Sequence, residues 1–276
     1  PDRRYGYAYL DQTRQALLTK SAAPIVRQRR VAIVSHDAHP HGAQYLALNL
    51  ARELKNGLDM QVDVLLMGGG QLAASFAEVA QVHDLSAVSA LELDSLLVRL
   101  RQSGVELVIA NTAVSGRITR AIAATGVHVI TLVHELPKLI RDYGLQSAVR
   151  DLVTYSDKVV LPSKAVAEGL KGFVDSDVLT SKSVLRPQGL FTRSKYRGEA
   201  DLAGARANLR EKLGLPSEAR IVLAVGYADR RKGVDLLLEA AAICCKADPF
   251  VHFVWVGHTD VSLEGENAAA LAKGGL

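Results

Sequence analysis

The chain has 276 residues, enough for one large domain or two ordinary ones. Hydrophobic residues make up 49% and charged residues 22%, which excludes disorder, a collagen-like repeat and a small disulfide-stapled fold. The net charge is only +4 and aromatics are 5%, with no zinc-finger spacing and no RNA-stacking signature, so nucleic-acid binding is not expected.

Cys244 and Cys245 are adjacent in an apolar, helix-like stretch, which is neither a disulfide framework nor metal-ligand spacing and fits a reducing compartment. No run reaches the ~18 apolar residues of a membrane span. The start, Pro1 to Tyr5, lacks the basic-then-apolar order of a signal peptide and lacks an initiator Met. The expectation is a soluble, cytoplasmic chain that is a processed or excised piece. Arg27, Arg29 and Arg30 form one dense basic spot, read as a solvated lead-in to the first strand, with contact to an anionic ligand or membrane as the alternative.

Along the chain, short apolar runs alternate with longer amphipathic stretches, the pattern of a parallel sheet wrapped by helices. Strand 31–35 is followed by helix 43–55, with Leu46, Leu50 and Leu54 on one face. Strand 62–67 ends in Gly68-Gly69-Gly70, read as a plain turn, and helices are expected over 72–79 and 91–102. Next come strand 107–111, helix 116–125, strand 127–134, helix 151–155, strand 158–161 and helix 163–171 with Ser163 as its cap, then an extended 184–187. After an aperiodic connector at 188–199, helix 202–213, strand 221–225, helix 234–246 and strand 251–256 begin a second α/β pattern.

The reading is α/β, doubly wound and Rossmann-like. A lead-in covers 1–30, a first domain 31–190, a linker 191–204, and the beginning of a second Rossmann-like domain 205–276. Two parallel strands cannot bury both faces of a sheet, so this second domain is expected to be truncated or completed by a partner.

Several site motifs are missing. There is no P-loop, no G-x-G-x-x-G after the first strand, no H-E-x-x-H and no C-x-x-C, and Ser115 lacks the first glycine of a nucleophile elbow. His36, His39 and His41 crowd the loop after the first strand; without a second ligand cluster they read as solvated histidines near a ligand cleft, with no metal expected.

Strand 31–35, loop 36–41 and Gly42-Ala43-Gln44 opening a Leu/Ala-rich helix resemble the opening of the family 4 retaining glycosyltransferases, enzymes of GT-B fold. Six further segments match in the same order. The run VITLVHE at 129–135 is similar to the family strand ending in His-Asp or His-Glu. Ser156-Asp157-Lys158 with the run to Ser163 resembles "Ala-Asp-x-Val-Ile-x-x-Ser". Arg186-Pro187-Gln188-Gly189 stands at the family's "Ile-Pro-Asn-Gly" domain crossing. Leu213 to Pro216, Leu223 to Gly226, and Arg231 to Leu237 resemble its entry to the C-terminal domain. Gln44 replaces an acidic residue, His41 replaces a glycine, and Tyr227 stands where the family has a phosphate-binding Arg. The family's late pair of glutamates is not found: Glu264 and Glu266 are followed eight positions on by Ala272 and Gly274.

The resemblance implies a glycosyltransferase that moves a sugar from a nucleotide sugar to a saccharide or lipid-linked acceptor with retention. It needs no metal, no cofactor beyond the donor substrate and no enzyme nucleophile. Acceptor contacts are expected in the first domain and donor contacts in the second. Gly42 and Ala43, at a helix N-terminus after a strand, are candidates to receive an anion through backbone N–H groups, or form a plain cap turn. His134 is the candidate catalytic residue, contacting the donor sugar or leaving group, with a satisfied core histidine as the alternative. Glu135 is expected to bind an acceptor hydroxyl or brace its loop, and Asn111 is a further substrate-binding candidate. Lys232, Arg231 and Tyr227 are assigned to the donor phosphates. Peripheral contact with an anionic membrane through Arg27, Arg29 and Arg30 is the alternative to their reading as a solvated lead-in. The alternatives are a nucleotide-sugar epimerase of the same two-domain fold and a degenerate transferase acting as an interaction module.

Overall fold

β-Branched and leucine-rich runs too apolar to face water on either side become strands of a parallel sheet, covered on both faces by amphipathic helices. The computed structural model describes residues 28–189, 196, 198–258, 265 and 269. The chain divides into two units, Pro1–Arg193 and Ser194–Leu276. The first opens with β1 (Arg30–Ser35), α1 (Gly42–Leu58), β2 (Gln61–Leu66), α2 (Ala73–Val79) and β3 (Gln81–Asp84). It continues with α3 (Ala90–Gln102), β4 (Val105–Asn111), α4 (Gly116–Ala124), β5 (His128–Leu132), α5 (Pro137–Asp142) and α6 (Gln146–Tyr155). It closes with β6 (Lys158–Leu161), α7 (Lys164–Leu170), α8 (Ser176–Lys182) and β7 (Ser183–Leu185).

The sheet order is β3-β2-β1-β4-β5-β6-β7 and every neighbouring pair is parallel. The chain therefore winds outward from β1 in one direction, then returns to β4 and winds outward in the other. The period-2 alternation of β1 divides its side chains between two cores. Val31 and Ile33 pack with Leu46, Leu54 and Phe76 on one face. Ala32 and Val34 pack with Leu65, Leu97 and Ile122 on the other.

Two glycines set close approaches that matter to the site. At Gly70 the backbone has φ +152°, and an added Cβ would lie 2.2 Å from the Ala38 carbonyl carbon. The Gly68 to Gly70 turn thus braces the loop after β1, with Ala38 N–H bonded to Gly69 O at 3.1 Å. At Gly116 a Cβ would sit 2.0 Å from Ala148 O, so α4 and α6 pack as closely as they do only with glycine there.

Three elements were not anticipated. β3 (Gln81–Asp84) is polar, and α5 and α8 span only six and seven residues, too short for a periodic signal. The strand expected through His134 stops at Leu132, because its ladder with β6 runs only from Ile130↔Lys158 to Leu132↔Val160. Ser163 does cap α7, its side chain accepting from Val166 N–H at 3.3 Å.

The basic spot also needs correction. Arg27 lies outside the described residues, and Arg30 is not a solvated lead-in. Its guanidinium forks onto the carboxylate of Asp63, with Nη2 2.9 Å from Oδ1, and Nη2 also reaches Gln81 Oε1 at 3.1 Å. His83 Nε2 lies 2.8 Å from the same Oδ1. Asp63 is 1% exposed. Burial alone would raise its carboxyl, but the hydrogen bonds from His83 and Arg30 outweigh it and hold the group below its ordinary value. Three neighbouring strands, β1, β2 and β3, are thus cross-linked by one buried carboxylate.

In the second unit, α9 (Glu199–Lys212) begins three residues before the expected helix and precedes β8 (Arg220–Val225), α10 (Val234–Ala247) and β9 (Val251–Val256). β8 and β9 pair in parallel from Arg220↔Val251 to Val225↔Val256. Leu223, Val225, Leu236 and Ile243 are exposed, as two strands and their helices leave apolar faces uncovered. Cys244 and Cys245 are free thiols of α10. Residues 190–195 of the connector region, and Glu264 and Glu266, lie outside the described residues. No described helix is long and apolar enough to cross a membrane.

Candidate functional site

In an open parallel sheet the crevice forms where neighbouring strands send their connections to opposite faces, at the carboxyl ends. Here that place lies between β1 and β4. After β1 the chain turns through 36–41 into α1. His41, the cap residue, makes no side-chain capping bond, and the first turn is closed by Tyr45 N–H to His41 O at 3.0 Å. The N–H groups of Gly42, Ala43 and Gln44 have no partner inside the helix. Nothing lies within 4 Å of where a Gly42 Cβ would be, so this helix end opens on free space.

At the end of β4, buried Asn111 donates from Nδ2 to Ala43 O at 2.8 Å and faces His134 Nε2 with Oδ1 at 3.0 Å. His134 Nδ1 is 2.7 Å from Gln188 Nε2. Burial holds the imidazole down to a pKa of about 4. At neutral pH His134 is therefore uncharged; it can orient a ligand by hydrogen bonding but supplies neither a proton nor a positive charge.

Next to Asn111, Thr112 adopts φ +76° and ψ 160°, a region held almost entirely by glycine. It is 1% exposed, its carbonyl accepts from Ser115 Oγ at 2.6 Å, and its Oγ1 lies 3.1 Å from His36 Nδ1. The strained backbone aims this hydroxyl at the loop after β1. On its other side His36 Nε2 meets Gln44 Nε2 at 3.0 Å, and Gln44 also donates to Asp37 Oδ1. Gln44 is 1% exposed and its Oε1 has no partner. The amide explains the departure noted in the sequence: a glutamate at 44 would press a second carboxylate against that of Asp37.

Glu135 bonds the N–H of His134 at 3.0 Å. Burial raises its carboxyl above the ordinary value, opposed by the N–H groups of His134, Glu135 and Ala113 and by His36. Its carboxylate braces the loop between β5 and α5.

Of the predicted residues, Gly42, Ala43, Asn111, His134 and Glu135 thus meet at one end of the first sheet. His134 lies two residues past the end of β5 instead of on it. His36 is tied to Gln44 and Thr112 instead of simply solvated, while His39 contacts Gln71 at 3.0 Å. Thr112 and Gln188 were missed. Thr112 carries no sequence signal, and Gln188 reaches His134 across 54 residues. Among the described residues no group of three His, Cys, Asp or Glu side chains is placed to hold a metal ion.

Tyr227 and Lys232 belong to the second unit, just beyond β8. A 3-10 turn over Arg230–Lys232 is capped by Asp229, whose Oδ1 accepts from Lys232 N–H at 2.8 Å. The Lys232 side chain runs past Gly226, its Cε 3.8 Å from where a Cβ there would stand. Tyr227 is half-exposed, and the Arg231 side chain lies outside the described residues.

No protein-family model and no curated protein matches the sequence. Solved structures do. HepE of Anabaena, determined with UDP and glucose, aligns at a TM-score of 0.70 with 16% identity, covering 90% of this chain and 67% of that one. A glycosyltransferase from Rickettsia africae aligns at 0.59 with 18% identity, over 91% and 66%. WaaG, a glycosyltransferase of lipopolysaccharide biosynthesis, aligns at 0.59 with 14% identity, over 89% and 67%. The fold is that of the GT-B glycosyltransferases. The chain spans about two thirds of the length of these structures.

Proposed function

We propose that this chain is part of a retaining glycosyltransferase of family 4, moving a sugar from a nucleotide sugar to a saccharide or lipid-linked acceptor. The observation that carries the reading is the meeting of Gly42, Ala43, Asn111 and His134 at the switch point of a GT-B-type sheet, in a fold shared with a protein solved with UDP and glucose. Open N–H groups at the start of α1 suit an anionic oxygen. In the second unit Lys232, with Arg231 and Tyr227, takes the donor diphosphate, whose negative charge grows as the sugar leaves.

Neutral His134 orients the transferred sugar, and Glu135 holds the loop that carries it. The acceptor hydroxyl forms its bond to the anomeric carbon on the face from which the nucleoside diphosphate departs with the bonding electrons. The hydroxyl proton passes to the departing phosphate oxygen. Neither a metal nor an enzyme nucleophile enters this scheme.

Full-length protein incubated with UDP-, GDP- or dTDP-sugars and saccharide acceptors tests it, with nucleoside diphosphate release and the product's anomeric configuration read by NMR. Release with a retained configuration supports the reading. Conversion of the sugar nucleotide without acceptor identifies an epimerase, and inversion refutes retention.

A further inference from the structure

The line Ala43, Asn111, His134, Gln188 has one consistent direction of hydrogen bonding. A backbone carbonyl can only accept, so the Asn111 atom 2.8 Å from Ala43 O is the amide nitrogen. That orientation turns Asn111 Oδ1 toward His134 Nε2 at 3.0 Å, where a carbonyl oxygen requires a donor. Nε2 therefore carries the ring proton. In a neutral imidazole the other nitrogen is an acceptor, and Gln188 meets it with its amide nitrogen at 2.7 Å. A carbonyl in the first turn of α1 thus determines a tautomer two links away.

We infer that Asn111 and Gln188 are positioning residues: Asn111 holds His134 as the Nε2–H tautomer, and Gln188 occupies the single acceptor nitrogen that remains. Asn111 is fully buried and tied to the backbone, whereas Gln188 is exposed on the extended segment that follows β7. Gln188 is therefore the partner that can be exchanged. A ligand group that takes its place on His134 must itself donate a hydrogen bond, as a hydroxyl does. A carboxylate or phosphate oxygen finds no proton there, because the buried ring stays neutral. The statement about the ligand rests on the proposed function; the tautomer does not.

Protein labelled with 15N-histidine tests the inference by long-range 1H–15N correlation. In the wild type at neutral pH, His134 should show a protonated Nε2 and a bare, hydrogen-bonded Nδ1. Gln188→Ala should leave the tautomer and move the Nδ1 resonance toward that of an unbonded nitrogen. Gln188→Glu replaces the donor by a carboxylate. With Nε2–H held by Asn111, the ring should still be neutral at neutral pH, but the midpoint for taking a second proton, on Nδ1, should rise by about one unit or more.

A wild type with its proton on Nδ1 overturns the inference. So does a Gln188→Glu form in which the proton merely moves from Nε2 to Nδ1, or in which neither midpoint nor resonance changes. Because Gln188 is exposed, neither variant endangers the fold. Adding UDP-glucose to the full-length wild type and Gln188→Ala separates the two readings. Binding that is about 2- to 10-fold tighter in Gln188→Ala supports exchange at Nδ1, and weaker binding opposes it. No binding by either form counts against the nucleotide-sugar reading, while the nitrogen assignments decide the positioning roles on their own.

Discussion

Acidification should unlock the first unit through His134 before any carboxylate pair fails. A buried imidazole with a pKa of about 4 stays neutral while the same side chain in the unfolded chain, near 6.5, takes up a proton. A depressed histidine pKa therefore leaves stability at its full value above the unfolded pKa and removes it as pH falls from there to the folded pKa. The interval is about 2.5 units, and at about 1.4 kcal/mol per unit the full loss is about 3.5 kcal/mol, of which about 3 falls between the two pKa values. Glu135 acts in the opposite sense, since its raised carboxyl favours the folded state as it protonates. His134→Gln removes the imidazole alone and leaves Glu135 in both proteins, so the difference between the two isolates the histidine. Urea unfolding should be followed by far-ultraviolet circular dichroism, because the single tryptophan, Trp255, lies in the second unit. The gap between wild type and variant should narrow by about 3 kcal/mol between pH ~6.5 and ~4. Parallel curves over that range would refute the linkage.

Other changes test separate parts of the account. Asp63→Asn removes the carboxylate that pairs Arg30 with His83, leaving a half-buried guanidinium short of its partner; a loss of about 3–5 kcal/mol is expected by denaturant titration. Thr112→Gly should be more stable than Thr112→Ala by about 1–3 kcal/mol, because both lose the hydroxyl but only glycine relaxes at φ +76°; equal stabilities would contradict the strain. Gly116→Val should unfold the first unit or lower its melting temperature sharply, since its Cβ would lie 2.0 Å from Ala148 O. In full-length protein, Lys232→Ala should reduce kcat/KM for the nucleotide sugar by about 10- to 100-fold while the circular dichroism spectrum is unchanged.

Much of the first sheet was legible because burial on both faces leaves a plain signature. Val31 to Val34 and Val159 to Leu161 are apolar on every successive residue, and both lie in strands. Where residues serve charge rather than burial the signature vanishes, so Gln81 to Asp84, the edge strand that supplies Gln81 and His83 to the Asp63 cluster, had no pattern to read. The apolar run ending at His134 overstates its strand, because strand length is decided by where β6 stops pairing, two residues earlier. Gly42, Asn111 and His134 could be singled out by their places after strands, yet their linkage could not. It depends on contacts such as Asn111 to Ala43 across 68 residues and Gln188 to His134 across 54. The strain at Thr112 is invisible in a sequence, since threonine is an ordinary strand residue.

The claim that this fold serves a nucleotide sugar is tested most directly by calorimetry with a panel of UDP-, GDP- and dTDP-sugars. The chain should be titrated beside a form extended over the remaining third of the length seen in its structural neighbours. The extended form should bind one nucleotide class, and Lys232→Ala should weaken that binding. Heats indistinguishable from dilution for both forms, across the whole panel, would contradict it.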